Sequence, residues 1–302
     1  MAPIIKSVSI AGVTGSLGAP VFKKLLESGF NVTVLARKQP VDLPAGAAVK
    51  IVDFGSIESL AAALKGQDAV VDTTSVPGDT SVSKHLIDAA IAAGVYRVIP
   101  SEFSGDPHNP ALRALPPFVN KAEVYEYLRV KTDGSKTTWT TISNSAFLDW
   151  GMRYGILKID LKEKKFTRLF DGNQVLEWTL LDAVATAVAG TLKKPAETEN
   201  RNCYIYTVKK SQNQMFELAR EAVGGDWYVE QSDAEKAFQD ALLALQGGRV
   251  DFQVIGDMIR YGITSPETAR LFPEEHNELL GIPGITDDEL KELLKQIALQ
   301  SV

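Results

Sequence analysis

Seven residues near the amino terminus constrain this chain more than any other stretch. Gly12-Val-Thr-Gly15-Ser-Leu-Gly18 follows a short β-rich run, Ser7–Ala11, and opens a helical pattern over Ser16–Ser28 that Gly29 stops. Strand, glycine turn and helix in that order make three separate demands. Gly12 permits the tight turn out of the strand, Gly15 leaves the backbone bare for a close approach, and Gly18 lets the helix pack on the sheet. The approaching group is an anion, because free N–H groups and the dipole at a helix N-terminus favour negative charge. The alternative is a glycine turn that merely links strand to helix. The strand-turn-helix setting favours a dinucleotide pyrophosphate cradled by Gly12, Thr14, Gly15, Ser16, Leu17 and Gly18.

The segments that follow supply the fold for such a loop. Further strands are predicted over Asn31–Ala36, Ala48–Asp53, Ala69–Thr73, Arg97–Ile99 and Thr138–Ser143. Between them, helices are predicted over Ser56–Leu64, Ser81–Ala93 and about Val119–Val130, with Gly66 and Gly94 as stops. Strands that read as buried, alternating with helices, require a parallel sheet covered on both faces. A Pro- and Asn-rich loop over Asp106–Pro117 interrupts the rhythm. Later come a helix over Asp182–Leu192, a last strand over Cys203–Thr207, and helical sequence from Ser211 onward, broken at Gly224-Gly225 and Gly247-Gly248. The expected architecture is α/β: a doubly wound parallel sheet of the Rossmann type with a smaller, mostly helical C-terminal substrate lobe. The expected boundaries are 1–146 for the dinucleotide domain, which also receives about 181–208, and 147–180 with 209–302 for the lobe.

Composition narrows the partners. The 302 residues carry 38 acidic and 32 basic side chains, a net charge of −6, which argues against nucleic acid. The single cysteine, Cys203, cannot form an internal disulfide and fits a reducing compartment, the cytoplasm. The start, Met1–Lys6, is too short and unpatterned for a signal peptide, and no run reaches the roughly 20 apolar residues of a membrane span. The expected partner is a small molecule, with no membrane; a homodimer stays open.

The end of the second strand reports on the dinucleotide. An acidic residue there holds the ribose 2′-hydroxyl of NAD. This chain has Arg37 and Lys38 instead, which suit the 2′-phosphate of NADP(H); the alternative is a solvated basic pair at a strand end. Ligands of doubly wound sheets lie outside the carboxyl ends of the strands. That rule places Asp53 and Phe54 near the adenine and Thr73, Thr74 and Ser75 beside the nicotinamide ribose. Against it, Asp53 could cap the helix near Ser56, and the Thr-Thr-Ser run could be a plain turn.

At Val98-Ile-Pro-Ser-Glu-Phe103 the chain resembles a known family. It is similar to the NmrA-like, isoflavone reductase-like branch of the atypical short-chain dehydrogenases, which includes phenylcoumaran benzylic ether and pinoresinol–lariciresinol reductases. The resemblance rests on Gly12–Gly18, Val34-Leu-Ala-Arg37, Pro100-Ser-Glu-Phe103 with Asp106, and Lys121. Trp178-Thr-Leu-Leu-Asp182, Asn200-Arg201 and Ser211-Gln-Asn213 extend it. It covers roughly 5–215, is faint in the C-terminal lobe, and is greater to fungal members than to the phenylpropanoid enzymes. The resemblance implies an NADPH-dependent reductase with Lys121 as catalytic lysine. It adds Ser101 and Phe103 of the signature to the cofactor-binding candidates, together with Phe147, an aromatic residue near the nicotinamide.

Ordinary short-chain dehydrogenases use Tyr-x-x-x-Lys, but four residues before Lys121 stands Pro117, which cannot titrate. A literal match occurs at Tyr127-Leu-Arg-Val-Lys131 and reads as a surface helix end, the rival assignment. Lys121 could give a proton, directly or through water, or hold the ribose hydroxyls. A free lysine titrates near 10.4, too high for acid catalysis at neutral pH, so burial would have to lower it. His108 lies in a loop and reads as exposed, and His85 and His276 show no partners. No His/Cys/Asp/Glu spacing suggests a metal, and Ser101 and Glu102 read as fixing their loop. Trp150, Trp178, Phe147, Tyr154 and Trp227 could line an aromatic pocket, but aromatics at this density belong to a core. Two readings stand beside the reductase. One is an NADP(H)-binding redox sensor without turnover; the other is a non-redox isomerase or cyclase.

Overall fold

Apolar strands buried on both faces dictate this architecture, as the first strand, β1 (Ser7–Ala11), illustrates: four of its five residues are buried. The computed structural model describes residues 2–40, 43, 47–75 and 78–300; Met1, in the unpatterned start, lies outside them. After β1 come α1 (Gly18–Glu27), β2 (Asn31–Ala36), β3 (Ala48–Ile51), α2 (Ile57–Leu64) and β4 (Ala69–Asp72). Next are α3 (Ser81–Ala93), β5 (Arg97–Ile99), α4 (Pro110–Arg113), α5 (Pro116–Thr132) and β6 (Thr138–Ser143). The middle of the chain holds β7 (Ala146–Phe147), α6 (Leu148–Arg153), β8 (Ile159–Asp160), β9 (Lys165–Leu169), β10 (Val175–Thr179) and α7 (Leu181–Lys193). The remainder is β11 (Arg201–Tyr204), β12 (Val208–Ser211), α8 (Gln212–Val223), β13 (Tyr228–Ser232), α9 (Ala234–Gln246), α10 (Phe252–Thr264), α11 (Asn277–Leu280) and α12 (Asp287–Gln300).

Seven strands form one sheet in the order β11-β6-β5-β4-β1-β2-β3, and every pairing is parallel. The order reverses at β1, whose Val8 stands opposite Val32 of β2 and Ala69 of β4. A doubly wound sheet opens its ligand crevice at such a reversal, at the carboxyl ends of the strands. One face of the sheet is packed by α1 and α7, through Val21, Leu25, Val184 and Val188. The other is packed by α2, α3 and α5, through Leu60, Leu86, Ile87 and Leu128.

The second region is helical, but it also contains two three-stranded sheets, β12-β10-β7 and β13-β9-β8. They correct two expectations: Ser211 onward is not wholly helical, and the strand near Cys203 spans Arg201–Tyr204 and is not the last. The Asp106–Pro117 loop contains α4, capped by Asn109, and α5 begins at Pro116, because proline suits the first turn of a helix. A further core joins β9, β10, α8 and α12 through Phe166, Trp178, Met215, Leu290 and Leu294.

Candidate active site

The glycine loop turns at the sheet's reversal. Gly12 has φ +90°, and a Cβ on it would stand 2.7 Å from the Thr73 backbone, so the loop and the end of β4 touch. A Cβ on Gly18 would stand 2.0 Å from the Gly12 carbonyl oxygen, which makes the close packing of α1 a steric requirement for glycine. Gly15 differs. Its nearest neighbour would be 3.4 Å away, and Thr14, Gly15 and Ser16 are exposed. No side chain caps α1, and its first turn has no acidic residue. Leu17 stands at the cap and packs against the core. The cradle is thus open where a phosphate would approach, and its positive end is not neutralised.

Arg37 and Lys38 are exposed just beyond β2, and neither has a carboxylate partner among the described residues. Beyond β3, Asp53 accepts from the Gly55 N–H at 2.8 Å, whereas Ser56 caps α2 through the Ser59 N–H. Asp53 is therefore not the cap of α2. The Phe54 carbonyl meets Nδ1 of His85 at 2.9 Å, so His85 does have a partner.

From β1 outward, hydrogen bonds stitch the carboxyl ends of the strands together. Thr73 Oγ1 donates to the Ala11 carbonyl at 2.6 Å. Ser101 Oγ donates to the Thr74 carbonyl at 2.6 Å, and Lys121 Nζ donates to the Ser101 carbonyl at 2.7 Å. Beneath them Asp72, 3% exposed, accepts from the Thr74 N–H and hydroxyl and from Ser83 Oγ. Burial pushes the Asp72 carboxyl up, against its three hydrogen-bond donors. Burial also pushes the Lys121 ammonium below the ordinary lysine value; Glu102 and Asp72 oppose that shift and Arg113 adds to it. Ser75 is exposed at the rim, Phe103 is buried in the core below the loop, and Phe147 is half-buried against the same core.

Tyr127 and Lys131 are not brought into this group. Six residues along a helix turn a side chain by roughly 240°, so Tyr127 faces away from Lys121. Its hydroxyl donates to Asp88 of α3 at 2.6 Å, and Lys131 pairs with the same carboxylate at 3.3 Å. Burial and Asp88 push the Tyr127 phenol up, the wrong direction for a proton donor at neutral pH. His108 is exposed, edge-on to Tyr125. His276 is buried, with Nδ1 accepting from the Tyr204 N–H and Nε2 beside Arg201, so it too has partners. The aromatic residues do not line one pocket. Trp178 is buried with its Nε1 on the Lys210 carbonyl, and Trp227 packs on Phe216. Trp150 and Tyr154 cluster with Phe252 at the surface.

Two charged residues at the site were not singled out from the sequence, Asp72 and Arg113. A carboxylate ending the otherwise apolar β4 run was a usable signal for Asp72. Arg113 carried none, because its partner Glu102 is reached only through the fold.

A family model described as the NmrA-like family matches residues 5–270. The chain belongs to that family. This NmrA-like chain is 36% identical over 250 residues to oxidoreductase aprR of Aspergillus flavus, an alignment covering 80% of this chain and 82% of the relative. An isoflavone reductase structure superimposes with a TM-score of 0.77 over 97% of this chain and 99% of its own, at 19% identity. Leucoanthocyanidin reductase of Vitis vinifera, solved as a binary complex with NADPH, superimposes with a TM-score of 0.75, covering 97% and 100% at 18% identity. At these identities the likeness of the two structures is one of fold. No helix among the described residues is long and apolar enough to cross a membrane.

Proposed function

We propose that the chain is an NADPH-dependent reductase, an atypical short-chain dehydrogenase, that transfers hydride to a small conjugated or aromatic organic substrate. The observation that carries this reading is the hydrogen-bonded line from the glycine turn through Thr73, Thr74 and Ser101 to Lys121. It puts a half-buried ammonium at the same strand ends as an open phosphate cradle. The fungal relative described as an oxidoreductase, and the reductase solved with NADPH, support the same class.

In this reading Gly12–Gly18 hold the pyrophosphate, with Thr14, Ser16 and Leu17 offering backbone N–H groups. Arg37 and Lys38 hold the 2′-phosphate. Asp53 and Phe54 flank the adenine, and Thr73, Thr74 and Ser75 the nicotinamide ribose. Ser101 supports Lys121, Phe103 backs the loop from the core, and Phe147 covers the nicotinamide side. Residues 1–146 with about 181–208 serve the cofactor; 147–180 and 209–302 serve the substrate. The chemistry that NADPH supplies is a hydride. Lys121 contributes one cationic hydrogen-bond donor, which steadies negative charge developing on the substrate and gives a proton at neutral pH more readily than a free lysine.

Lys121→Ala tests this. NADPH oxidation is followed at 340 nm against a panel of small enones, quinones and imines, and NADPH binding by fluorescence. Turnover is expected to fall by about 10²–10⁴-fold, the usual worth of a positioned acid, with NADPH binding largely kept. Surviving turnover overturns the role of Lys121. NADPH binding without turnover by the unaltered chain on the whole panel favours a redox sensor.

A further inference from the structure

Glu102 has no part in the reaction described above, yet it is 1% exposed, in the loop between β5 and α4. Arg113 of α4, 6% exposed, donates from Nη1 to its Oε1. The second Glu102 oxygen, and Nε and Nη2 of Arg113, have no hydrogen-bond partner among the described residues. A buried ion pair with so many unmade hydrogen bonds loses more hydration than its attraction returns, so stability is a poor reason for it.

What the pair holds still is a peptide group. The carbonyl that accepts from Lys121 Nζ belongs to the bond joining Ser101 to Glu102. The N–H of that same peptide donates to the Pro100 carbonyl at 2.7 Å. Locking the Glu102 side chain therefore locks the plane of the acceptor that aims Lys121. The Glu102 charge works in the same sense, because it favours the ammonium against burial and against Arg113. Asp72, from β4, is the other charged group acting on Lys121 and also favours the ammonium. Arg113 is itself anchored. Asn109, the cap of α4, donates to the Thr268 carbonyl at 2.7 Å, which ties the pair to the C-terminal region.

We propose that Glu102 is a positioning residue for Lys121, held in place by Arg113. This rests on the reading of Lys121 as the catalytic lysine, and the test separates the two. The Lys121 side chain is titrated by NMR in the NADPH-free protein with isotope-labelled lysine, its signal identified by its loss in Lys121→Ala. In Glu102→Gln the midpoint is expected to fall by about one pH unit, because a nearby opposite charge raises an ammonium by that order. Glu102→Asp keeps the charge and recovers most of that shift, which a merely structural Glu102 would not do. Glu102→Gln leaves the Arg113 charge buried and uncompensated. Glu102→Gln combined with Arg113→Gln leaves neither charge buried without its partner, and its midpoint is read against that of Arg113→Gln alone, from which it is expected to fall because the Glu102 charge that favours the ammonium is lost. An unmoved midpoint in either comparison overturns the positioning role, even where Lys121→Ala has lost turnover. A lowered midpoint with turnover surviving in Lys121→Ala supports the positioning and overturns the catalytic reading alone.

Discussion

In the proposed function, Arg37 is the residue on which the choice of cofactor turns. It stands exposed just beyond β2 with no carboxylate partner among the described residues. A charge-assisted bond to a 2′-phosphate is worth about 1.5–3 kcal/mol. Arg37→Ala is therefore expected to weaken NADPH binding about 10–100-fold while leaving NADH binding unchanged, as read by fluorescence titration. An unchanged ratio of the two affinities would sink the assignment. At this scale the glycines were legible from the sequence because their geometry admits nothing larger: Gly12 has φ +90° and Gly18 lies against the Gly12 carbonyl. Lys121 was legible only through the family pattern. The literal Tyr-x-x-x-Lys at Tyr127 and Lys131 read as a surface helix end, and α5 does turn both side chains to Asp88. The Glu102–Arg113 pair was not legible, since a contact between a loop and a four-residue helix leaves no periodic trace.

Helix α4 shows where element-level reading stops. Four residues are too few to nucleate a helix alone, so only tertiary contacts sustain it. Those contacts converge on Asn109, 3% exposed, whose Oδ1 accepts from the Leu112 N–H and whose Nδ2 donates to the Thr268 carbonyl. Asn109→Ala removes a cap and leaves the Thr268 carbonyl unpaired. The expected loss is about 2–3 kcal/mol, measured as a lower urea midpoint at unchanged slope. A midpoint within error of the parent would show that α4 is held by other contacts. The strands between Ala146 and Thr179 escaped for a different reason. Their turns pass through positive φ at Ser145, Lys158, Lys164 and Phe170, with no glycine at those positions. Gly155 and Asp171-Gly172-Asn173 punctuate part of the stretch, but at Ser145, Lys158 and Lys164 the residue type gives no turn signal. Strand β13 offers little apolar pattern, and its register is set by β9, some sixty residues earlier.

Across the whole molecule, the chain weaves its two regions together rather than setting them end to end. The sheet that carries the glycine loop is completed by β11, and one of its faces is covered by α7, both lying in sequence between β10 and β12 of the second region. Val184, Ala185, Ala187 and Val188 are fully buried and Leu192 is 1% exposed, packed in the same core as Val21 and Leu25 of α1. Removing them uncovers several large apolar side chains at roughly 1.5–3 kcal/mol each, against a total stability of about 5–15 kcal/mol. A fragment ending at 146 is therefore expected to show no cooperative urea transition by circular dichroism and no NADPH binding. Extending it to 208 restores α7 and β11 but strands the second core, which needs Met215 of α8 and Leu290 and Leu294 of α12, each fully buried. The extended fragment is expected to aggregate through Trp178 and Phe166, which α8 and α12 no longer cover. The full chain should then unfold in one transition, with far-UV dichroism and tryptophan fluorescence coinciding. A 1–146 fragment that folds and binds NADPH would overturn this, and would mean that α1 covers its face of the sheet without α7.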